Sequence, residues 1–142
     1  MKIRPIILIS ILLMGYGINL SWADTQNDKN DKVIANAKAW LTLIDNGNYS
    51  DSWKEASAYF KAAVSEKKWG IALQSVRQAL GKLGKRDIVN SQKSNSLPGA
   101  PDGEYIVMSF KTVFEHKKSA VETVTFMLDK DGQWRAAGYF IK

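Results

Sequence analysis

The sequence predicts an α+β domain in which helices precede an antiparallel sheet of about four strands. Two features predict it. Between Val33 and Leu80 apolar residues recur every three or four positions, the spacing of helices with one buried face. After Arg86 the period falls to two, and Asp131-Gly132 places a hairpin signal between the last two runs. A helical half followed by a stranded half requires that the helices cover the sheet's apolar face. At 142 residues, with 45% apolar and 11% aromatic side chains, the chain has material for one domain with its own core.

The elements follow in order. Lys2 and Arg4, the run Ile6 to Met14 broken only by Ser10, and Ser21-Trp22-Ala23 have the layout of a cleaved secretory signal peptide. Small residues at Ser21 and Ala23 put the cut between Ala23 and Asp24. The strongly apolar run is much shorter than the roughly 20 residues that cross a bilayer, so no stable membrane span is expected after cleavage. The expected address is periplasmic or secreted. Residues 24–30 (DTQNDKN) are polar and free of aromatics, which predicts a flexible leader to a domain spanning 31–142.

Val33, Ala37, Trp40, Leu41 and Ile44 define the first helix, with Asn30 or Asp31 as its cap and Gly47 at its end. Ser52 and Glu55 have capping-box spacing and predict a second helix to about Lys61, with Trp53, Ala56 and Phe60 on one side. A third begins near Ser65, carries Trp69, Leu73, Val76 and Leu80 on one stripe, and stops at Gly81 and Gly84.

Arg86 to Gln92 reads as a strand, and Ser94 to Gly103 as a loop, since it holds two prolines and two glycines. Glu104 to Glu115 alternates Ile106, Met108, Phe110, Thr112 and Phe114 against the opposite face. A turn over His116 to Ser119 leads to Ala120 to Asp129, and the last strand covers Gln133 to Ile141. If Asp131-Gly132 forms a two-residue turn, Leu128, Phe126, Val124 and Glu122 share a face with Arg135, Ala137, Tyr139 and Ile141. A one-residue bulge would exchange those assignments. The face away from the helices is available to a second copy, a homodimer through the sheet.

Composition excludes several chemistries. With no Cys there is no disulfide, thiol nucleophile, cysteine-ligated metal or acylated lipoprotein cysteine. His116, the only histidine, falls beside Lys117 and Lys118 and is poorly placed as a base. No metal-ligand spacing is present, Gly81 to Lys85 lacks phosphate-loop spacing, and no cofactor is expected. The net charge of +6 does not gather into a basic stripe: Lys54, Lys61, Lys67, Lys68, Arg77, Lys82, Lys85 and Arg86 are spread along helical pattern, each near acidic or apolar neighbours, so no nucleic-acid partner is expected.

The candidate ligand-binding residues are Trp53, Phe60, Trp69, Arg77, Arg86 and Tyr139. Trp69 and Phe60 lie on helical stripes and equally suit a core, as does Trp40, whereas Trp53 and Trp134 lie near turns and suit a pocket rim. Glu122 has two readings. It either pairs with Arg77 or Arg86 and locks the third helix to the sheet, or acts with Tyr139 as a weak acid–base candidate. Asp45, at a helix end, reads as turn chemistry.

The series Trp40-Leu41, Asp45, Gly47, Tyr49, Ser52-Trp53, Trp69, Arg77, Leu80-Gly81, Arg86, Asp131-Gly132-Gln133-Trp134-Arg135 and Gly138-Tyr139-Phe140-Ile141 resembles a family of secreted bacterial proteins, the domain of unknown function 4019. The resemblance runs from about Val33 to Lys142. The order of elements is also similar to the NTF2-like, or cystatin-like, superfamily. That resemblance implies helices folded over a curved sheet to form a cone, and an exported setting, but no particular reaction. The resulting expectation is a non-catalytic binding or protein-interaction module of the bacterial cell envelope, with an apolar cone for a small amphipathic ligand or a partner segment. The alternatives are a non-metallo isomerase or lyase using Glu122 and Tyr139, and a cell-envelope assembly factor.

Overall fold

Among the described residues, four helices lead into a four-stranded antiparallel sheet, an α+β fold in which every one of these helices precedes every strand. The computed structural model describes residues 22–142, and side chains from Thr25 onward. The expected signal peptide, apart from its last two residues, lies outside the described residues. The helices are α1 (Trp22–Asp45), α2 (Tyr49–Lys54), α3 (Ala58–Ala63) and α4 (Glu66–Leu80). The strands β1 (Leu83–Ser94), β2 (Tyr105–Phe114), β3 (Lys117–Leu128) and β4 (Trp134–Ile141) pair in chain order, so β1 and β4 are the sheet's edges.

The helical stripe of α1 is the predicted one, with Val33, Ala37, Trp40, Leu41 and Ile44 buried. Its start is not: the helix begins at Trp22 instead of being capped at Asn30 or Asp31, and residues 24–30, expected as a flexible leader, form its first turns. The side chains of residues 25–29 are exposed, so these turns carry polar groups that remain in water.

The predicted second helix is two. Ser52 does not cap it but sits fully buried inside α2, where its hydroxyl donates to the Tyr49 carbonyl at 2.7 Å. The chain then breaks at Glu55 to Ser57, and Ser57 caps α3 by accepting from the Phe60 amide at 3.1 Å. The break serves the sheet: the Ser57 amide donates to the Ala136 carbonyl on the outer edge of β4 at 2.9 Å. α4 starts beside Ser65 as predicted, and Ser65 caps it by accepting from the Lys68 amide. The stripe of α4 differs at one position, because Arg77 is buried and Val76 is 42% exposed. Gly81 ends α4 at φ +74°, where a Cβ would meet Glu115 and His116 within 3.0 Å.

β1 is longer than predicted, and the turn between β2 and β3 is Glu115-His116, tighter than His116 to Ser119. The hairpin from β3 to β4 corrects the assumed faces. Asp129 pairs with Gln133 around a three-residue turn with Gly132 at φ +82°, one residue longer than expected. Leu128 therefore opposes Trp134 and Phe126 opposes Ala136, so Arg135 and Ala137 leave the face assigned to them. A register shift at Ala137 then restores the predicted alignment, and Val124 opposes Tyr139 as Glu122 opposes Ile141.

The sheet's inner face carries Ile106, Met108, Phe110, Val124, Phe126 and Ala136 against the buried stripes of the helices. In the middle of this layer the rings of Trp40 and Trp69 stack at 6.0 Å, and Phe126, Tyr139 and Phe60 meet them edge-on at centroid distances of 4.9 to 6.3 Å. The space between helices and sheet is thus occupied by rings.

Candidate functional site

A polar network crosses the wall between the helices and the sheet, beside the aromatic layer. Asp45, at the end of α1, accepts from Arg77 Nη2 on α4 at 2.8 Å and from Arg86 Nη1 and Nη2 on β1 at 2.7 and 2.9 Å. Arg86 also donates from Nε to Glu122 on β3 at 2.7 Å, with a longer contact of 3.2 Å from Nη2. Glu122, with none of its surface exposed, further accepts from the Thr112 hydroxyl at 2.6 Å and from the Tyr139 hydroxyl. The network joins α1, α4 and all four strands' layer through two guanidinium groups facing two carboxylates. Charges at this depth persist only when paired in this manner.

The chemistry of each group follows. Burial works against the charge on Arg86, but hydrogen bonds and charge from Asp45 and Glu122 outweigh it and hold its pKa above the usual arginine value. Burial, then the nearby Glu122 carboxylate, raises the Tyr139 pKa well above the ordinary tyrosine range. Arg77 lies over the Phe114 ring with its guanidinium carbon 4.8 Å from the centroid, and its second terminal nitrogen, Nη1, has no hydrogen-bond partner there.

The Tyr139 shift predicts an alkaline effect. A phenol whose folded pKa exceeds its unfolded value of about 10 contributes stability that is complete below pH 10 and is lost as pH rises above it. Denaturant melts of the native chain between pH 9 and 11.5 are therefore expected to lose stability faster than those of Tyr139→Phe. Parallel curves for the two proteins would refute this placement.

The structure divides the residues picked from sequence into two groups. Phe60, Trp69 and Tyr139 come together with Trp40 in the aromatic layer, and Arg77, Arg86, Glu122 and Tyr139 come together in the network. Tyr139 belongs to both, ring in one and hydroxyl in the other. Trp53 stands apart: it is half-buried, donates to the Val64 carbonyl at 2.7 Å and has the Lys61 ammonium 6.0 Å from its ring centre.

Two participants were missed. Asp45 is the shared counter-ion of both arginines, not a turn residue. Thr112 was visible as the one polar member of the inward series Ile106, Met108, Phe110, Thr112 and Phe114. Asp45 gave no such signal, because its partners lie 32 and 41 residues away.

Cavities open at several places on the surface of the described residues, and Glu122 lines none of the following four. One of about 530 Å³ lies at the outer end of the network, between Asp45, Tyr49, Arg77 and Glu115. Another, of about 360 Å³, lies under the first part of α1. A third, of about 280 Å³, runs beside Trp134 and Trp40. The fourth, of about 240 Å³, is mainly apolar and separates α4 from β4, with Trp69, Leu73, Val76, Tyr139 and Phe140 in its walls. Among the described residues no three His, Asp or Glu side chains gather in a metal-binding group, and no helix is long and apolar enough to cross a membrane.

A search of curated proteins finds no match. A family model does match, over residues 36–139, and its span holds the aromatic layer and every member of the network from Asp45 to Tyr139. The chain belongs to the family described as protein of unknown function DUF4019.

Proposed function

We propose that this chain is an exported, non-catalytic protein-interaction module of the NTF2-like type, which holds an extended apolar segment of a partner in the groove between α4 and β4. The observation that carries this reading is a free strand edge next to exposed apolar side chains. Val121 and Lys142 exchange both backbone hydrogen bonds, at 3.0 and 2.9 Å. By the alternation of an antiparallel ladder, Phe140 and Gly138 also bond inward to β3, and Tyr139 and Ile141 turn their amides and carbonyls to the outer edge. Among the described residues no strand pairs with that edge. Val76 is 42% and Phe140 60% exposed beside it, and Trp69 and Leu73 line the groove floor. Unpaired backbone groups ask for a strand, and the apolar walls ask for apolar side chains on it.

The export part of the reading rests on the pattern of residues 1–23, and the NTF2-like part on helices preceding a meandering sheet. The non-catalytic part rests on Glu122, whose carboxylate is engaged by Arg86, Thr112 and Tyr139 and lines none of the four cavities described above.

The test is hydrogen exchange on the protein with its native partner, found by photo-crosslinking from position 140. Slowed exchange at the Tyr139 and Ile141 amides, abolished by Val76→Asp, is the expected result. A crosslinked species of twice the chain's mass would make the occupant a second copy. Unchanged exchange at both amides would overturn the reading.

A further inference from the structure

We infer that the cavity under α1 is a binding site for a small amphipathic anion, with a carboxylate head and an apolar body. It lies at the opposite end of β4 from the α4 groove and does not depend on what that groove holds. Its walls come from three directions: α1 supplies Lys29, the end of β1 supplies Lys93, and Ile106, Leu128 and Trp134 supply an apolar floor. At about 360 Å³ it falls in the size range of small-ligand pockets, and it divides into an apolar side and a polar side to which more residues contribute, the division an amphipathic ligand matches.

The rim fixes the sign of the ligand. Neither Lys29 nor Lys93 lies within 4 Å of a carboxylate among the described residues, and the Lys93 ammonium donates only to the Gln26 side-chain oxygen. Glu104 is the one acid in the lining, so two cations face one anion. Both lysines are exposed at the rim, which leaves their ammonium groups hydrated until a ligand arrives and makes the site cheap to keep open. The floor lies deeper: Ile106 is buried, and the half-buried Trp134 adds apolar ring surface to the lining. A neutral apolar ligand would leave the two ammonium groups unused, and a small hydrophilic anion would leave the floor uncovered.

The experiment compares octanoate with 1-octanol by ¹H–¹⁵N correlation spectra of the purified protein. Octanoate is expected to bind one to one, to shift the Ile106, Leu128 and Trp134 signals, and to bind about tenfold more tightly than 1-octanol, the gain from two partly screened ion pairs. In Lys29→Gln/Lys93→Gln, octanoate affinity should fall to that of 1-octanol while 1-octanol is unaffected. Both positions are exposed, so the variant keeps its fold, which unchanged signals from the β-sheet core would verify. Equal affinities for the two probes in the native protein would overturn the inference. So would shifts confined to Trp69 and Phe140, which would place octanoate in the α4 groove instead.

Discussion

Glu122→Ala is expected to remove about 3–5 kcal/mol of folding stability, the cost of breaking a buried ion pair by deleting one partner. The Arg86 side chain, 9% exposed, would keep Asp45 but lose its Nε acceptor, and the hydroxyls of Thr112 and Tyr139 would be left without the acceptor they share. Against a typical total of about 5–15 kcal/mol, a loss of that size leaves the chain near its unfolding threshold. Urea unfolding measures it directly. A double-mutant cycle with Arg86→Met identifies the cause: the two changes should cost less together than their sum, with a coupling of about 1–3 kcal/mol. A loss below 1 kcal/mol for Glu122→Ala would mean that water reaches the carboxylate, and the structural role assigned to the network would fall with it.

The second large effect belongs to Trp40. Its indole is 3% exposed, stacks on Trp69, meets Phe126 and Tyr139 edge-on, and donates to the Ser52 carbonyl at 2.8 Å. Trp40→Ala is expected to cost about 3–5 kcal/mol through the cavity it opens and the lost ring contacts. Trp40→Phe should cost less, since most of the volume is kept, but the Ser52 carbonyl would still lose its donor. Thermal or urea melts of the two variants should preserve that order. Ser52 matters because Trp69 also donates to it, Nε1 to Oγ at 2.9 Å, so a single serine in α2 holds both stacked indoles in place. Equal losses in the two Trp40 variants would show that the Ser52 bond, and not ring packing, carries the effect.

These two predictions bear on the same architectural point. An apolar cone was expected between helices and sheet, and the space is instead divided into a ring-filled half and an ion-paired half, with Tyr139 at the seam. Filling by rings contributes apolar burial, while the ion pairs tie α1 and α4 to the sheet in one register. The proposed binding surfaces at the β4 edge and under α1 open at the margins of this layer, the first of them walled in part by Trp69 and Tyr139.

The amino-acid sequence alone determined the order of elements, the α+β class, the stripe of α1, the start of α4 near Ser65 and its stop at Gly81, because each is written in neighbours within about one turn or one strand repeat. It also exposed Glu122 and the arginines as partners, since polar residues on buried faces need opposite charge. Only the tertiary structure decided that Asp45 joins Arg77 to Arg86, that Ser52 is a buried anchor instead of a cap, and that Arg77 displaces Val76 from the inward stripe. It likewise decided the faces of the hairpin, where one extra turn residue and one register shift near Ala137 cancel along the strand. For the first three the physical reason is the same: each depends on groups that are distant in the chain and are brought together only by closure of the helices over the sheet, which leaves no periodic signal in local sequence. The hairpin faces turn instead on a local choice, since Asp131-Gly132 suits a three-residue turn with a left-handed glycine as well as a two-residue one.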